Sequence, residues 1–161
     1  MTEEHRTLIE TFLPVDEITK EAKIEKIGAA RPPISSMHYW WTRKPLVVAR
    51  AAVLGALVSS NFSMKEYRKL LGLGVEGRSH FYDLSDEQLS KLRLEYEKNW
   101  GESPMIVDPF AGGGSIPFEA MRLGVNTIAI DYNPEAHLIE KATLEFPRKY
   151  GKKLFEDVKK G

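Results

Sequence analysis

Two aspartates and a run of glycines in the last third of the chain have types and a spacing that suit the binding of an adenosine. Met105-Ile-Val107 is predicted to form a strand, and Asp108 follows it at the head of the loop Asp108-Pro-Phe-Ala-Gly-Gly-Gly-Ser115. Open α/β sheets place ligands at the carboxyl ends of their strands, and glycines let backbone amides approach a ligand without a Cβ clash. Asp131 ends the next predicted strand, where an acid reaches a ribose diol, and the ring of Tyr132 could cover an adenine.

The glycine-rich turn alone is weak evidence for a ligand, because tight strand-to-helix turns in any α/β protein use glycine. Two common phosphate-binding loops can be compared with it directly. A dinucleotide fingerprint places glycine at the first turn position, and a P-loop ends in Gly-Lys-Ser/Thr, whereas Gly114 is followed by Ser115 with no lysine. Neither of these loops matches.

The full string Asp-Pro-Phe-x-Gly-x-Gly-Ser resembles the first motif of DNA amino-methyltransferases. In those enzymes the acid marks S-adenosylmethionine rather than a pyrophosphate. The resemblance implies that S-adenosylmethionine is the cofactor and that the loop and the end of the second strand bind it. The residues expected to contact the cofactor are Asp108, Pro109, Phe110, Ala111, Gly112, Gly113, Gly114, Asp131, Tyr132 and Asn133.

An upstream element, Thr42-Arg-Lys-Pro-Leu46, resembles the Thr-x-Lys-Pro-Leu sequence that precedes this loop in many such enzymes and lines the methionine end of their cofactor pocket. The resemblance implies that Thr42, Lys44 and Pro45 also bind the cofactor. Lys-Pro at the start of a helix often only marks where the helix begins. Its position before the glycine loop favours the functional interpretation.

Several segments occur in the order seen in one family. They are Leu13-Pro-Val15, His38-Tyr-Trp-Trp-Thr-Arg-Lys-Pro-Leu46, the string from Asp108 to Pro117, and Ile139-Glu-Lys-Ala-Thr143. Together they resemble the N-terminal domain, of unknown function, of large bacterial and archaeal adenine-specific DNA methylases in the S-adenosylmethionine-dependent amino-methyltransferase superfamily. The resemblance covers most of the chain outside residues 61–103.

A catalytic motif is not found. Enzymes that methylate adenine N6 or cytosine N4 use Asp/Asn/Ser-Pro-Pro-aromatic, whose polar groups accept hydrogen bonds from the exocyclic amine. The only Pro-Pro pair lies in Arg31-Pro-Pro-Ile34, which lacks the polar acceptor and the aromatic ring and precedes the cofactor loop. We therefore expect no catalytic residue in this chain, which should be inactive alone. The catalytic half would come from another polypeptide or a missing C-terminal region, and DNA would bind through the complete enzyme.

Two alternative functions stay open from the sequence. The chain could be a structural or regulatory subunit with a degenerate methyltransferase fold and an empty pocket, or part of an RNA methyltransferase. Homo-oligomerisation is also possible, because an incomplete sheet would leave an apolar edge to be covered.

A basic and aromatic cluster precedes the second predicted helix. Its members could stack a flipped base or hold a phosphate, although tryptophans near a buried helix are more often core or interface residues. The cluster consists of His38, Trp40, Trp41, Arg43 and Arg50. The other histidines, His5, His80 and His137, are too scattered to predict a metal site, and Glu119, Glu135 and Glu140 are interpreted as surface and capping charges.

Helices must position the upstream element. A charged amphipathic helix is predicted over about Val15 to Ile27, and Arg31-Pro-Pro-Ile34 should be extended, because residues before proline avoid the helical region. Pro45 opens a helix that runs to about Ser59 and is apolar on most sides, which predicts burial.

Two capping boxes follow, Ser63 with Glu66 and Ser85 with Gln88, and they predict two short surface helices. The last third has the βαβ order that forces a parallel sheet. We therefore predict an α/β chain with an incomplete, Rossmann-like methyltransferase fold. Residues 1–60 form an N-terminal helical segment, 61–103 a helical insertion, and 104–161 the βαβα cofactor-binding part.

Within that last part, Ser115 is predicted to cap a helix that stops at Gly124. The second strand spans Val125 to Ile130. Asn133 caps the next helix, which Pro147 should end.

The composition restricts the remaining possibilities. The 23 basic and 23 acidic residues cancel, so nucleic-acid contacts must be local, and the absence of cysteine excludes disulfides and thiolate zinc sites. The longest apolar stretch, Leu46 to Val58, is interrupted by Arg50 and Gly55 and should not span a membrane. With no apolar signal segment at the N-terminus, a cytoplasmic protein is the simplest prediction.

Overall fold

The computed structural model describes residues 6–27, 31–74 and 79–160. Within them the chain is a mixed α/β protein, mostly helical, with a parallel sheet of two strands. The helical segments are α1 (Val15–Glu25), α2 (Pro33–Met37), α3 (Leu46–Leu57), α4 (Met64–Leu70), α5 (Asp86–Trp100), α6 (Ser115–Arg122), α7 (Pro134–Glu140) and α8 (Phe146–Lys160). The strands are β1 (Met105–Asp108) and β2 (Asn126–Ala129).

The prediction of an extended segment over residues 31–34 is wrong for its second half, because α2 begins at Pro33. Pro32 keeps the extended ψ of 140° that a residue before proline prefers. Pro33 takes the first helical position, where its missing N–H costs nothing. The predicted first helix is confirmed, although it ends at Glu25 rather than Ile27.

Helix α3 is the centre of the N-terminal half. It begins after Pro45 as predicted, and both carboxylate oxygens of the buried Glu25 accept hydrogen bonds from its first amides, those of Leu46 at 2.7 Å and Val47 at 3.3 Å. These bonds satisfy N–H groups that a helix start otherwise leaves without partners. Helix α1 is thereby fixed to the start of α3.

Helices α4 and α5 both have the predicted caps. Ser63 accepts from the Glu66 amide, and Ser85 and Gln88 form a reciprocal capping box. These helices also enter the core, through buried residues that include Tyr67, Leu70, Leu92 and Tyr96. The segment 61–103 therefore contributes to the same apolar core as α3 and α6.

The sheet has the predicted parallel order. Strand β1 pairs with β2 in a register that opposes Met105 to Asn126 and Asp108 to Ala129, and α6 forms the crossover. Helix α6 packs between the sheet and α3. Gly114, in a left-handed conformation, occupies the N-cap position that we predicted for Ser115, so the serine side chain is released for another contact.

Pro147 does not end the last helix, contrary to the prediction. A π-helical turn over Lys141–Glu145 joins α7 directly to α8, in which Pro147 is the second residue. A proline cannot donate its backbone N–H, and a wider turn before it is a common way for a helix to absorb the missing bond. The regular backbone instead breaks at Gly151, where φ is 52°.

One charged cluster lies inside the core. Arg50 and Glu119 are 1 % and 0 % exposed and form a 2.6 Å ion pair between α3 and α6, and Arg122 donates to the second oxygen of Glu119 at 2.8 Å. The interpretation of Glu119 as a surface charge is therefore wrong, and Arg50 is unavailable to the basic and aromatic cluster. Because Arg50 is desolvated, removal of Glu119 leaves its buried charge without a carboxylate partner.

One face of the sheet is uncovered. Met105 and Val107 on β1, and Ile128 on β2 with the adjacent Ile130, are 57 %, 55 %, 45 % and 50 % exposed. We call this set the open sheet face. Helix α6 packs against both strands on the other side. Among the described residues, no helix is both long and apolar enough to cross a membrane.

Candidate functional site

Two segments that are far apart in sequence meet at the carboxyl end of β1. One is the upstream segment, residues 38–45, and the other is the glycine loop, residues 108–115. Arg43 donates from Nη1 to the Gly113 carbonyl oxygen at 2.9 Å, and Ser115 Oγ donates to the Lys44 carbonyl oxygen at 2.8 Å. The two sequence elements that carry the methyltransferase resemblance therefore form one site.

The glycines permit a close approach of the upstream segment to the loop. A Cβ added to Gly112 would lie 2.7 Å from Trp40 Nε1, and one added to Gly113 would lie 3.0 Å from Arg43 Cζ. Gly112 also has φ of 52°, which disfavours any residue with a side chain. The protein's own packing thus requires these two glycines.

The loop amides are largely satisfied within the protein, which differs from the expectation that they face a ligand. Ala111 N–H donates to the Ile130 carbonyl oxygen at 3.0 Å, and Gly114 N–H donates to that of Ala111 at 2.8 Å. Gly112 N–H donates to Asp131 Oδ2 at 2.8 Å. Side chains and the remaining lone pairs of the acids are therefore the groups through which this loop can recognise a ligand.

Asp131 links the ends of both strands. Its carboxylate accepts hydrogen bonds from two backbone amides. The Gly112 N–H donates to Oδ2, and the Asn133 N–H donates to Oδ1 at 2.8 Å. A carboxylate offers about four lone-pair positions, so each oxygen keeps one for a further donor such as a ribose hydroxyl. Tyr132 and Phe110 are 103 % and 87 % exposed, so both rings beside this acid present a free face.

A cavity of about 140 Å³ lies between the upstream segment and the glycine loop, beside the hydrogen bonds that join them. Its lining includes Trp40, Thr42, Arg43, Lys44, Asp108, Phe110, Ala111, Gly112 and Gly113. Pockets that enclose whole ligands usually measure about 300–1,000 Å³. This cavity can therefore take only one end of a cofactor, and the predicted residues Pro45, Pro109, Gly114, Asp131, Tyr132 and Asn133 lie outside its lining.

Arg43 presents a cation to this cavity. Its Nη1 is bonded to Gly113, but Nη2 is buried with no hydrogen-bond partner. Burial lowers the pKa of the Arg43 guanidinium, because its charge is held away from water. A buried, unpaired guanidinium nitrogen is a natural partner for a carboxylate.

Glu140 is a third acid near the glycine loop that the sequence analysis placed on the surface. It is 5 % exposed, its Oε1 is buried without a partner, and its Cγ would lie 3.7 Å from a Cβ on Gly114. Burial, and then the charges of Asp131 and Asp108, raise the pKa of Glu140 to about 7. Its spacing of four from the apolar Ala136 on the same helix, which is also buried, could have revealed it.

The basic and aromatic cluster extends along the same segment. His38 Nε2 contacts Glu135 Oε1 of α7 at 2.6 Å, so the start of the segment is tied to the helix that follows Asp131. Trp40 is half-buried against Gly112, and Trp41 is 71 % exposed. No group of acids and histidines that could hold a metal ion occurs in the parts of the chain that the structure describes.

Comparison with known proteins bears on the N-terminal half. Residues 12–71 match a family model. The family is described as a protein of unknown function (DUF1156). The match includes the upstream segment and α1 to α4 but stops before the glycine loop. No curated protein matches the chain, and no solved structure matches it.

Proposed function

We propose that this chain binds S-adenosylmethionine and provides it to an amino-group methyltransferase acting on nucleic acid at adenine N6 or cytosine N4. The observation that carries the proposal is the meeting of the upstream segment with the glycine loop around one cavity. The βαβα order, with an aspartate at the end of each strand, supports a Rossmann-like fold of the methyltransferase type. The link to adenine-specific DNA methylases rests on the sequence resemblance.

The residues present fit the two ends of this cofactor. Its amino-acid end carries a carboxylate, which suits the unpaired Arg43 Nη2 and the lysine beside it, Lys44, in a cavity of the right size for a fragment. Its ribose suits the free lone pairs of Asp131, and its adenine suits the exposed Tyr132 ring. When bound, the cofactor supplies an electrophilic methyl group. The chain's own residues bind and orient it.

The open sheet face supports a second part of the proposal, that the catalytic half lies outside this chain. Apolar side chains on both strands are exposed on this face, whereas a parallel sheet is normally covered on both faces. We propose that a partner or a further region carrying the Asp/Asn/Ser-Pro-Pro-aromatic motif packs there.

Calorimetry of the purified chain with S-adenosylmethionine tests the proposal. Methyl transfer to DNA is assayed in the same samples, with and without the protein encoded next to this gene. We expect binding to the chain alone and transfer only after the neighbour is added. Absence of binding in both samples contradicts the proposal.

A structural or regulatory subunit is the second candidate, and one observation favours it. The glycines serve the packing of Trp40 and Arg43, and the loop amides are bonded internally, so the loop has a structural role without any ligand. In that case calorimetry shows no heat with the cofactor, while the neighbouring protein still binds the chain.

A further inference from the structure

A groove of about 310 Å³ lies beside the glycine-loop cavity, and we call it the aromatic groove. Three consecutive aromatic residues line it, Tyr39, Trp40 and Trp41. Its lining also holds four cations, Lys26, Arg31, Arg43 and Lys44. The groove thus combines flat rings with positive charge.

The rings of the aromatic groove are presented to solvent. Tyr39 and Trp41 are 69 % and 71 % exposed, which is unusual for such large apolar side chains. Their ring centroids are 6.0 Å apart in an edge-to-face arrangement, and Trp40 packs against Trp41 at 5.9 Å. The rings therefore support one another and leave faces free for a planar ligand to stack on.

The charge of the groove is strongly positive although the chain as a whole is neutral. Among the described residues, the only acid in its lining is Glu25, and the Leu46 and Val47 amides donate to both of its oxygens at the start of α3. The four cations are thus not neutralised within the groove by a free carboxylate. A local field of this kind attracts phosphate groups.

We infer that the aromatic groove binds an unpaired nucleotide of a nucleic-acid strand, with the base stacked on Trp41, which Tyr39 contacts edge to face, and the flanking phosphates beside Lys26 and Arg31. Stacking aromatics combined with backbone-tracking cations is the common design of single-strand binding sites. The volume suits one nucleotide rather than a duplex, whose bases are already stacked. The inference deepens the proposed function, on which it rests for its biological purpose.

The position of the groove agrees with this assignment. Trp40, Arg43 and Lys44 line both the aromatic groove and the glycine-loop cavity. A base held in the groove would therefore lie next to the proposed site of the cofactor's amino-acid end. Enzymes that act on a base must take it out of the helical stack, and a stacking platform beside the cofactor serves that step.

Fluorescence anisotropy with the full chain and labelled oligonucleotides of twelve nucleotides tests the inference. The probes are oligo(dT), oligo(rU) and a DNA duplex, and comparison of the first two shows whether the strand is DNA or RNA. We expect both single strands to bind more tightly than the duplex. The affinity should fall as salt increases, because phosphate contacts release counterions.

Substitutions locate the site. Trp41→Ala should weaken single-strand binding by about tenfold or more, and Trp41→Phe should restore most of it, because stacking needs only a flat ring. Arg31→Ala should weaken binding to all sequences alike. It should also reduce the slope of log affinity against log salt concentration by about one, the value for one phosphate contact. Tyr150→Ala and Lys91→Ala, on exposed side chains outside the groove, are the matched controls.

Cofactor calorimetry on the same samples separates the two proposals. Single-strand binding without cofactor binding overturns the proposed function alone. Cofactor binding without single-strand binding overturns the inference alone. Equal binding of poly-glutamate, or full affinity in a folded Trp41→Ala protein, also overturns it, because both results show that stacking is not used.

Discussion

Arg43 donates from Nη1 to the Gly113 carbonyl oxygen at 2.9 Å, and this bond joins two residues that are 70 positions apart in the chain. Arg43 belongs to the segment matched by the DUF1156 model, whereas Gly113 lies beyond the match. The matched region therefore contacts a loop that lies outside the match.

A glycine series measures how closely these segments must approach. Gly112→Ala combines an unfavourable φ with a 2.7 Å approach to Trp40 and should lower the free energy of unfolding by about 2 kcal/mol or more. Gly113→Ala only displaces the Arg43 guanidinium and should cost about 1 kcal/mol. Gly74→Ala, with nothing within 4 Å of the added Cβ, is the control and should have little effect.

Urea denaturation gives these values. An equal effect at all three positions would contradict the contacts described. In addition, Gly113→Ala should weaken S-adenosylmethionine binding by more than its stability loss explains, because Arg43 faces the cavity.

Asp131→Ala should weaken cofactor binding by about ten- to a hundredfold, because charged hydrogen bonds to a ligand contribute roughly 1.5–3 kcal/mol. The same change leaves the Gly112 and Asn133 amides without their acceptor, so the melting temperature should also fall. Asp131→Asn keeps one acceptor oxygen but places its NH2 group against the other amide, so its affinity and melting temperature should both lie between those of Asp131→Ala and the original protein. Asp157→Ala, at an exposed position of α8, is the control. An unchanged calorimetric affinity in Asp131→Ala would contradict the assignment of Asp131 to the cofactor.

Glu140 should make the stability of the protein depend on pH. Its folded pKa of about 7 lies above the ordinary value of 4.5. Between these values the folded state holds the proton that the unfolded chain loses, so the free energy of unfolding falls as the pH rises from 4.5 to 7 and is lowest above it. Glu140→Gln removes this titration.

The pKa shift corresponds to about 3 kcal/mol, so the Glu140→Gln variant should melt about 7–14 °C higher than the original protein at pH 8 and much closer to it at pH 5. Differential scanning calorimetry at the two pH values checks this. Glu145→Gln, at an exposed neighbouring position, should melt at the same temperature as the original protein at both pH values. A gain of equal size at pH 5 would show that the titration of Glu140 is not its cause.

The Arg50–Glu119 pair should dominate the stability of the α3–α6 interface. Glu119→Ala leaves Arg50 buried without a counter-charge and should cost about 3–5 kcal/mol. The exposed pair of Glu87 with Lys91 serves as control, and Glu87→Ala should hardly change the urea midpoint.

A double variant, Arg50→Met with Glu119→Leu, should recover much of the loss, because well-packed apolar side chains replace buried ion pairs with little cost. If Glu119→Ala is as mild as Glu87→Ala, the pair is not desolvated in solution.

Local signals in the sequence predicted most of the elements. The caps at Ser63, Ser85 and Asn133 and the βαβ order depend on a few neighbouring residues, and the structure has them where expected. The helix end predicted at Pro147 was wrong, because a π-helical turn precedes a proline that would normally end a helix.

The site could be predicted only as a list of its parts. The meeting of Arg43 with Gly113 depends on tertiary packing of α3 on α6, which no local pattern encodes. Glu119 and Glu140 were misplaced for the same reason, since a glutamate on a helix is usually solvated unless a distant partner or a neighbouring element encloses it.

The open sheet face offers a practical reporter for the cover proposed above. An environment-sensitive dye such as anilinonaphthalene sulfonate should fluoresce on its apolar side chains, Met105, Val107, Ile128 and Ile130. Any polypeptide that completes the sheet must displace the dye, whatever chemistry it brings. The fluorescence of the isolated chain therefore becomes a screen for its own counterpart that requires neither a cofactor nor a known reaction.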